Sequence, residues 1–163
     1  MKELPSGLKM ATVWLLAGLV LFLGVQAFLS QQRSTRFETA GDSVQIRRAT
    51  DGHYHWPAMV NGHAVDFLVD TGATRSALPA SLARQLDLPV EGRVQSHTAG
   101  GAVEGQVVRA DLELRGGVRI ERLRIVALPA LQAPLLGMDV LGKLHWSQSE
   151  GVLRIDLQAG GRR

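Results

Sequence analysis

Cysteine is absent from the 163-residue chain. Disulfides and thiolate-held metals are therefore excluded, and the redox compartment leaves no trace in the sequence. Aromatic residues are scarce, at 5%. A one-signed charge patch is missing too: the net charge is +3 and the pI near 9.9, but the arginines are scattered among acidic residues. That pattern describes a solvated surface, and no nucleic-acid partner is expected. Internal repeats are absent. The length suits one domain with an appendage, and 45% apolar with 20% charged residues is ordinary for a globular protein.

The chain does contain one long apolar run. Met10 to Leu29 is twenty residues without a charge, and only Thr12 and Gln26 are clearly polar. As a helix it just spans a bilayer. A cleaved signal peptide competes, with Lys2 and Lys9 as the basic flank and Val25-Gln26-Ala27 as a small-x-small site. The full apolar length favours an uncleaved anchor. Lys2 and Lys9 before the run and Arg33 and Arg36 after it leave the positive-inside rule nearly tied. Residues 1–9 are then a short tail, 10–29 a transmembrane helix, 30–42 a polar tether, 43–158 the folded domain and 159–163 a frayed end.

Within 43–158 the patterning is mostly that of strands. Val44 and Ile46 alternate with polar neighbours. His53 to Val60 and His63 to Val69 flank Asn61-Gly62, a strong two-residue hairpin signal, and Pro57 places the first strand at an edge or bulge. Leu78 to Leu86 has helical spacing with Pro79 in its first turn. Val107 to Leu114 and Val118 to Leu128 are joined by Arg115-Gly116-Gly117. Met138 to Leu144 is a short helix, and Gly151 to Leu157 is a closing strand. The expectation is seven to nine short strands with one or two short helices in a mostly β, closed barrel of one lobe. His53, His55 and His63 share this hairpin and invite a zinc reading. Their order is also that of polar positions on a solvated face, so no metal is expected.

The stretch Phe67-Leu68-Val69-Asp70-Thr71-Gly72-Ala73-Thr74 runs from buried-strand residues straight into an Asp and a Gly turn. A carboxylate avoids such a position unless it has partners, so Asp70 either caps an Asx-type turn or does chemistry. Asp-Thr-Gly-Ala arises by chance in this length on the order of once in several hundred sequences. The motif, with a second apolar-apolar-Gly element at Leu135-Leu136-Gly137 about 65 residues later, resembles the retropepsin-like branch of the aspartic proteases. The similarity covers roughly residues 43–158.

This resemblance implies Asp70 as the catalytic residue, Thr71, Gly72 and Ala73 as its turn, and Leu135, Leu136 and Gly137 as structural support. Thr98, Ala99, Gly100, Gly101 and Ala102 are the implied flap over a polypeptide substrate, and no cofactor is implied. Because the chain carries a single Asp-Thr-Gly, the dyad requires a homodimer. The anchored bacterial members of the branch imply a single-pass protein of the inner membrane with its catalytic domain in the periplasm. The alternative is a peptide-binding module of the same fold that does not cut. In the viral enzymes an Arg follows the apolar-apolar-Gly element and pairs with an Asp near the active turn. Met138 and Thr74 stand there instead, leaving Arg75 and Asp139 as candidates for a substitute pair.

Overall fold

The computed structural model describes residues 10, 14–22, 37–40, 42–98 and 101–157. Residues 14–22 are helical. No helix among the described residues is long and apolar enough to cross a membrane, and the rest of the anchor expected over 10–29 lies outside them. The second unit starts at Phe37. Its first strand, β1 (Phe37–Ala40), lies in the stretch read as tether and pairs with β2 (Ser43–Arg47). A four-residue strand with one buried aromatic carries too little alternation to be seen in sequence.

The remaining strands are β3 (His55–Val60), β4 (His63–Val69), β5 (Ala77–Pro79), β6 (Val90–Thr98), β7 (Gly101–Leu114), β8 (Val118–Leu128), β9 (Leu135–Leu136), β10 (His145–Ser149) and β11 (Val152–Asp156). Two helices accompany them, α1 (Ala80–Gln85) and α2 (Met138–Leu141). Eleven strands among the described residues thus replace the seven to nine expected, because two- and three-residue pieces such as β9 and β5 have no periodicity of their own. Pro79 closes β5 rather than opening the helix: its ψ of 133° is extended, so α1 begins one residue later.

One sheet runs β3-β4-β9-β5-β8-β7-β6 and is closed by a further β3–β7 pairing. Six strands form the ring, and β6 stands outside it as the partner of β7 in a long hairpin. Pro57 sits where β3 is paired with β4 alone, one residue before the β7 pairing starts at Ala58, so its missing N–H breaks no ladder bond. The second sheet, β1-β2-β11-β10, is antiparallel throughout.

A single core joins the two sheets. Val44, Ile46, Leu153 and Ile155 of the four-stranded sheet cluster with Trp56, Phe67, Leu112, Leu114 and Ile125 of the ring. Each such side chain contributes about 1.5–3 kcal/mol by leaving water. The Trp56 indole N–H is satisfied by the Arg115 carbonyl at 2.9 Å. A smaller cluster of Ala77, Val126 and Leu128 has Val94, Val103, Leu131 and Leu135 packed against it. It lies on the other face of β5 and β8, since their next residues, Leu78, Ile125 and Ala127, belong to the main core.

Gly116 and Gly117 separate two costs of adding a side chain. Both have positive φ, 107° and 96°, but a Cβ on Gly116 would lie 2.3 Å from Val44 Cγ2, whereas one on Gly117 meets nothing within 4 Å. Gly117→Ala should lose about 1 kcal/mol in urea unfolding, the backbone cost alone. Gly116→Ala should lose roughly 2–4 kcal/mol, because β2 must also be pushed off the barrel. Equal losses would mean that Gly116 does not hold the two sheets together.

Candidate active site

β4 ends at Val69, and Asp70 turns out of it with its backbone N–H donating to the Leu136 carbonyl at 3.0 Å. The Gly72 N–H donates to Asp70 Oδ1 at 2.9 Å, which is the Asx-type turn. The two readings of this aspartate therefore coexist: one oxygen shapes the turn and the other, Oδ2, has no partner among the described residues. Asp70 is half-buried, while Thr71 and Gly72 are exposed. A Cβ on Gly72 would crowd Asp70 Oδ1 at 3.2 Å, so the glycine keeps the carboxylate accessible.

The strand β9 explains the second motif. It runs parallel to β4 through Leu68↔Leu135 and Val69↔Leu136, and antiparallel to β5 through Ala77↔Leu135. It thus passes between the strands that enter and leave the Asp70 turn. Gly137 is where the chains cross, since a Cβ there would lie 2.5 Å from the Arg75 carbonyl carbon and 2.8 Å from the Ser76 nitrogen. Beyond the crossing, the Met138 N–H donates to the Ala73 carbonyl at 2.8 Å and the Asp139 N–H to the Thr74 carbonyl at 3.2 Å. Leu135 and Leu136, the support expected from sequence, are half-buried and fully buried.

The substitute pair expected between Arg75 and Asp139 is replaced by something else. Asp139 Oδ1 accepts both the Ser76 N–H at 2.9 Å and the Ser76 hydroxyl at 2.8 Å. Ser76 Oγ in turn accepts the Gly137 N–H at 3.1 Å. Ser76 is fully buried, and Arg75 is exposed. The only signal in sequence is a polar residue opening a buried strand, and its partner lies 63 residues away.

Of the implied flap, Thr98 and Gly101 close the β6–β7 hairpin as a register pair, and Ala102 pairs with His97. Gly101 has φ of 109°, a conformation open to glycine and strained for other residues. Ala99 and Gly100 lie outside the described residues. Val94 and Val103 of the hairpin pack on the small cluster of Ala77, Val126 and Leu128, as Leu135 does.

The hairpin histidines are not brought together around a metal among the described residues. His55 is held from both sides, Nδ1 on Asp66 Oδ2 and Nε2 on Asp51 Oδ2, each at 2.8 Å. Both ring nitrogens can donate only in the imidazolium form. Burial of the ring works against that charge, but the hydrogen bonds to Asp51 and Asp66 outweigh it, and the His55 pKa is raised. The Asp51 pKa is lowered, chiefly by the His53 backbone N–H and then by His55. The raised His55 contribution is complete below about pH 6.5, the unfolded imidazole value, and is lost as pH rises through the folded value. That of Asp51 is complete above about pH 3.9 and is lost as pH falls through its folded value. Asp51 and Asp66 are exposed and His55 is only half-buried, so the clamp stabilises by less than about 1 kcal/mol. The melting-temperature gap between wild type and His55→Gln should be widest near pH 5 to 6 and shrink in alkali. A gap that stays constant from pH 5 to 9 would show that His55 is not held as a cation.

The aspartyl protease family profile matches residues 56–140, more than half of the chain. Among solved structures, a retropepsin-like aspartic protease from Rickettsia conorii superposes with a TM-score of 0.58 at 23% identity, covering 74% of this chain and 94% of its own. EIAV protease, solved with the inhibitor HBY-793, gives a TM-score of 0.48 at 22% identity, covering 57% of this chain and 88% of its own. No curated protein sequence matches. The Rickettsia likeness makes the fold retropepsin-like. The matched stretch takes in every strand of the ring, the Asp70 turn and the crossing at Gly137, and on that match the chain belongs to the aspartyl protease family.

Proposed function

We propose that the protein is an aspartic endopeptidase that works as a twofold homodimer, with Asp70 of each subunit contributing one carboxylate to a shared dyad. The observation that carries this reading is the Asp70 carboxylate itself. Its Oδ1 is fixed by the turn and its Oδ2 is unclaimed among the described residues, and the chain supplies only one such group. Two carboxylates that share a proton divide the work. One accepts a proton from the attacking water, and the other donates to the scissile carbonyl oxygen and then to the leaving amine. The Thr71 hydroxyl bonds across the dyad, and the Thr98–Ala102 hairpin tip closes over the peptide.

The uncharged run over 10–29 supports a single-pass anchor, and the resemblance to anchored bacterial members of the branch supports an inner-membrane protein with the 43–158 domain in the periplasm. Confinement to a membrane raises the effective concentration of subunits and so favours the dimer.

Asp70→Asn keeps the size and the Gly72 bond but cannot share a proton. Purified mutant should fold with wild-type circular dichroism and lose at least about a thousandfold in kcat on any peptide that wild type cuts. Unchanged cutting would remove Asp70 from the chemistry, whereas peptide binding by a wild type that never cuts would favour the binding module. Assembly has a separate test. Full-length protein diluted in detergent should lose specific activity as it passes through the monomer–dimer transition. Activity per mole that stays flat down to concentrations where light scattering shows only monomer would exclude a shared dyad.

A further inference from the structure

The Asp70 turn is a short segment with two free sides, and its position is fixed from 136–139. Four backbone hydrogen bonds tie segment 70–76 to its surroundings: Asp70 N–H to Leu136, Met138 N–H to Ala73, Asp139 N–H to Thr74, and Val126 N–H to Ser76, at 2.8–3.2 Å. Backbone bonds alone permit sliding, because each can be re-formed one register along. The contact that forbids sliding is made by side chains. Ser76 Oγ donates to Asp139 Oδ1 at 2.8 Å and accepts the Gly137 N–H at 3.1 Å, while the Ser76 N–H donates to the same Oδ1 at 2.9 Å. These atoms form a closed loop of three bonds around a fully buried serine, and the loop can form in one register only.

We propose that Ser76 and Asp139 are positioning residues for Asp70: their bonded pair locks the crossing at Gly137 and thereby sets where the Asp70 carboxylate stands. The inference rests on the endopeptidase reading for its effect on catalysis, but the lock itself is independent of it. Neither side chain bonds to Asp70. Their influence passes through Gly137, whose backbone already lies against Arg75 and Ser76 too closely for a Cβ. It then passes through Leu136, which accepts the Asp70 N–H. A displacement of about 1 Å at a reacting group costs on the order of a hundredfold in rate, so a loosened crossing acts on turnover before it acts on substrate affinity. What the lock requires of residue 139 is an acceptor oxygen in place, not a charge. An asparagine at 139 offers the same Oδ1 to both Ser76 donors.

The test compares Ser76→Ala, Asp139→Ala and Asp139→Asn in the full-length protein. Each is assayed well below its own melting temperature on one fluorogenic peptide that wild type cuts. Ser76→Ala and Asp139→Ala should lower kcat ten- to a hundredfold with KM within twofold, and Asp139→Asn should stay within about threefold of wild type. A kcat for both alanine variants within twofold of wild type would reduce the pair to ordinary structure and overturn the proposal. An Asp139→Asn as slow as Asp139→Ala would overturn it differently, by showing that the charge matters and not the acceptor. If Asp139→Ala does not fold, Ser76→Ala and Asp139→Asn make the same comparison. Amide hydrogen exchange gives a readout that survives failure of the protease reading. In a wild type that cuts nothing, exchange at Asp70 and Met138 should still quicken at least tenfold in the alanine variants relative to global unfolding, and not in Asp139→Asn. Unchanged exchange in all three would refute the lock.

Discussion

Everything in the barrel depends on one backbone crossing, where Gly137 passes the Arg75–Ser76 peptide with no room for a β-carbon. A turn that carries a carboxylate cannot be supported by packing, because its residues must stay open to whatever they meet. Support comes instead from main-chain atoms: β9 slots between the strands before and after the turn and is bonded to both. The same insertion supplies one of the two links the ring needs, the β3–β7 pairing being the other. β4 and β5 leave the Asp70 turn on separate sides, and β9 is the piece that joins them. The crossing thus fixes the site and joins β4 to β5 through β9, which is why two motifs about 65 residues apart act as one.

The parts of this arrangement legible in sequence are those whose signal is local. Asn61-Gly62 marks a tight hairpin, and both its residues have positive φ, 47° and 82°. Phe67 to Gly72 shows a buried strand breaking at an aspartate, and Leu136-Gly137 shows a buried residue before a forced glycine. What escaped was decided by partners far along the chain. β1 is a strand because β2 offers it four register pairs, and Pro79 is extended because β5 continues through it alongside β8. His55 reads as an exposed hairpin position until Asp51 and Asp66 are placed on either side of it. Asp139, two residues past the glycine and a candidate partner for Arg75, holds a buried serine instead. A hydroxyl and a backbone N–H satisfy a carboxylate without burying a second charge, which is the cheaper solution in a tight crossing.

Strand alternation also separates stability from access. Along β5 and β8, consecutive residues fall into different clusters: Leu78, Ile125 and Ala127 face the large core, while Ala77, Val126 and Leu128 face the β6–β7 hairpin. The large core gathers twenty-three buried residues from both sheets, and the small one gathers three. Val94 and Val103 of the hairpin pack on the small set, while the base of β7 belongs to the large one. β7 pairs with β8 from Gln106 onward and sends Val108, Ala110, Leu112 and Leu114 into the large core, so only the distal part of the hairpin, before Gln106, depends on the small cluster. The strands that hold Asp70 remain anchored on their other face. Period-two alternation in two strands thus gives the core and the distal part of the hairpin separate apolar supports.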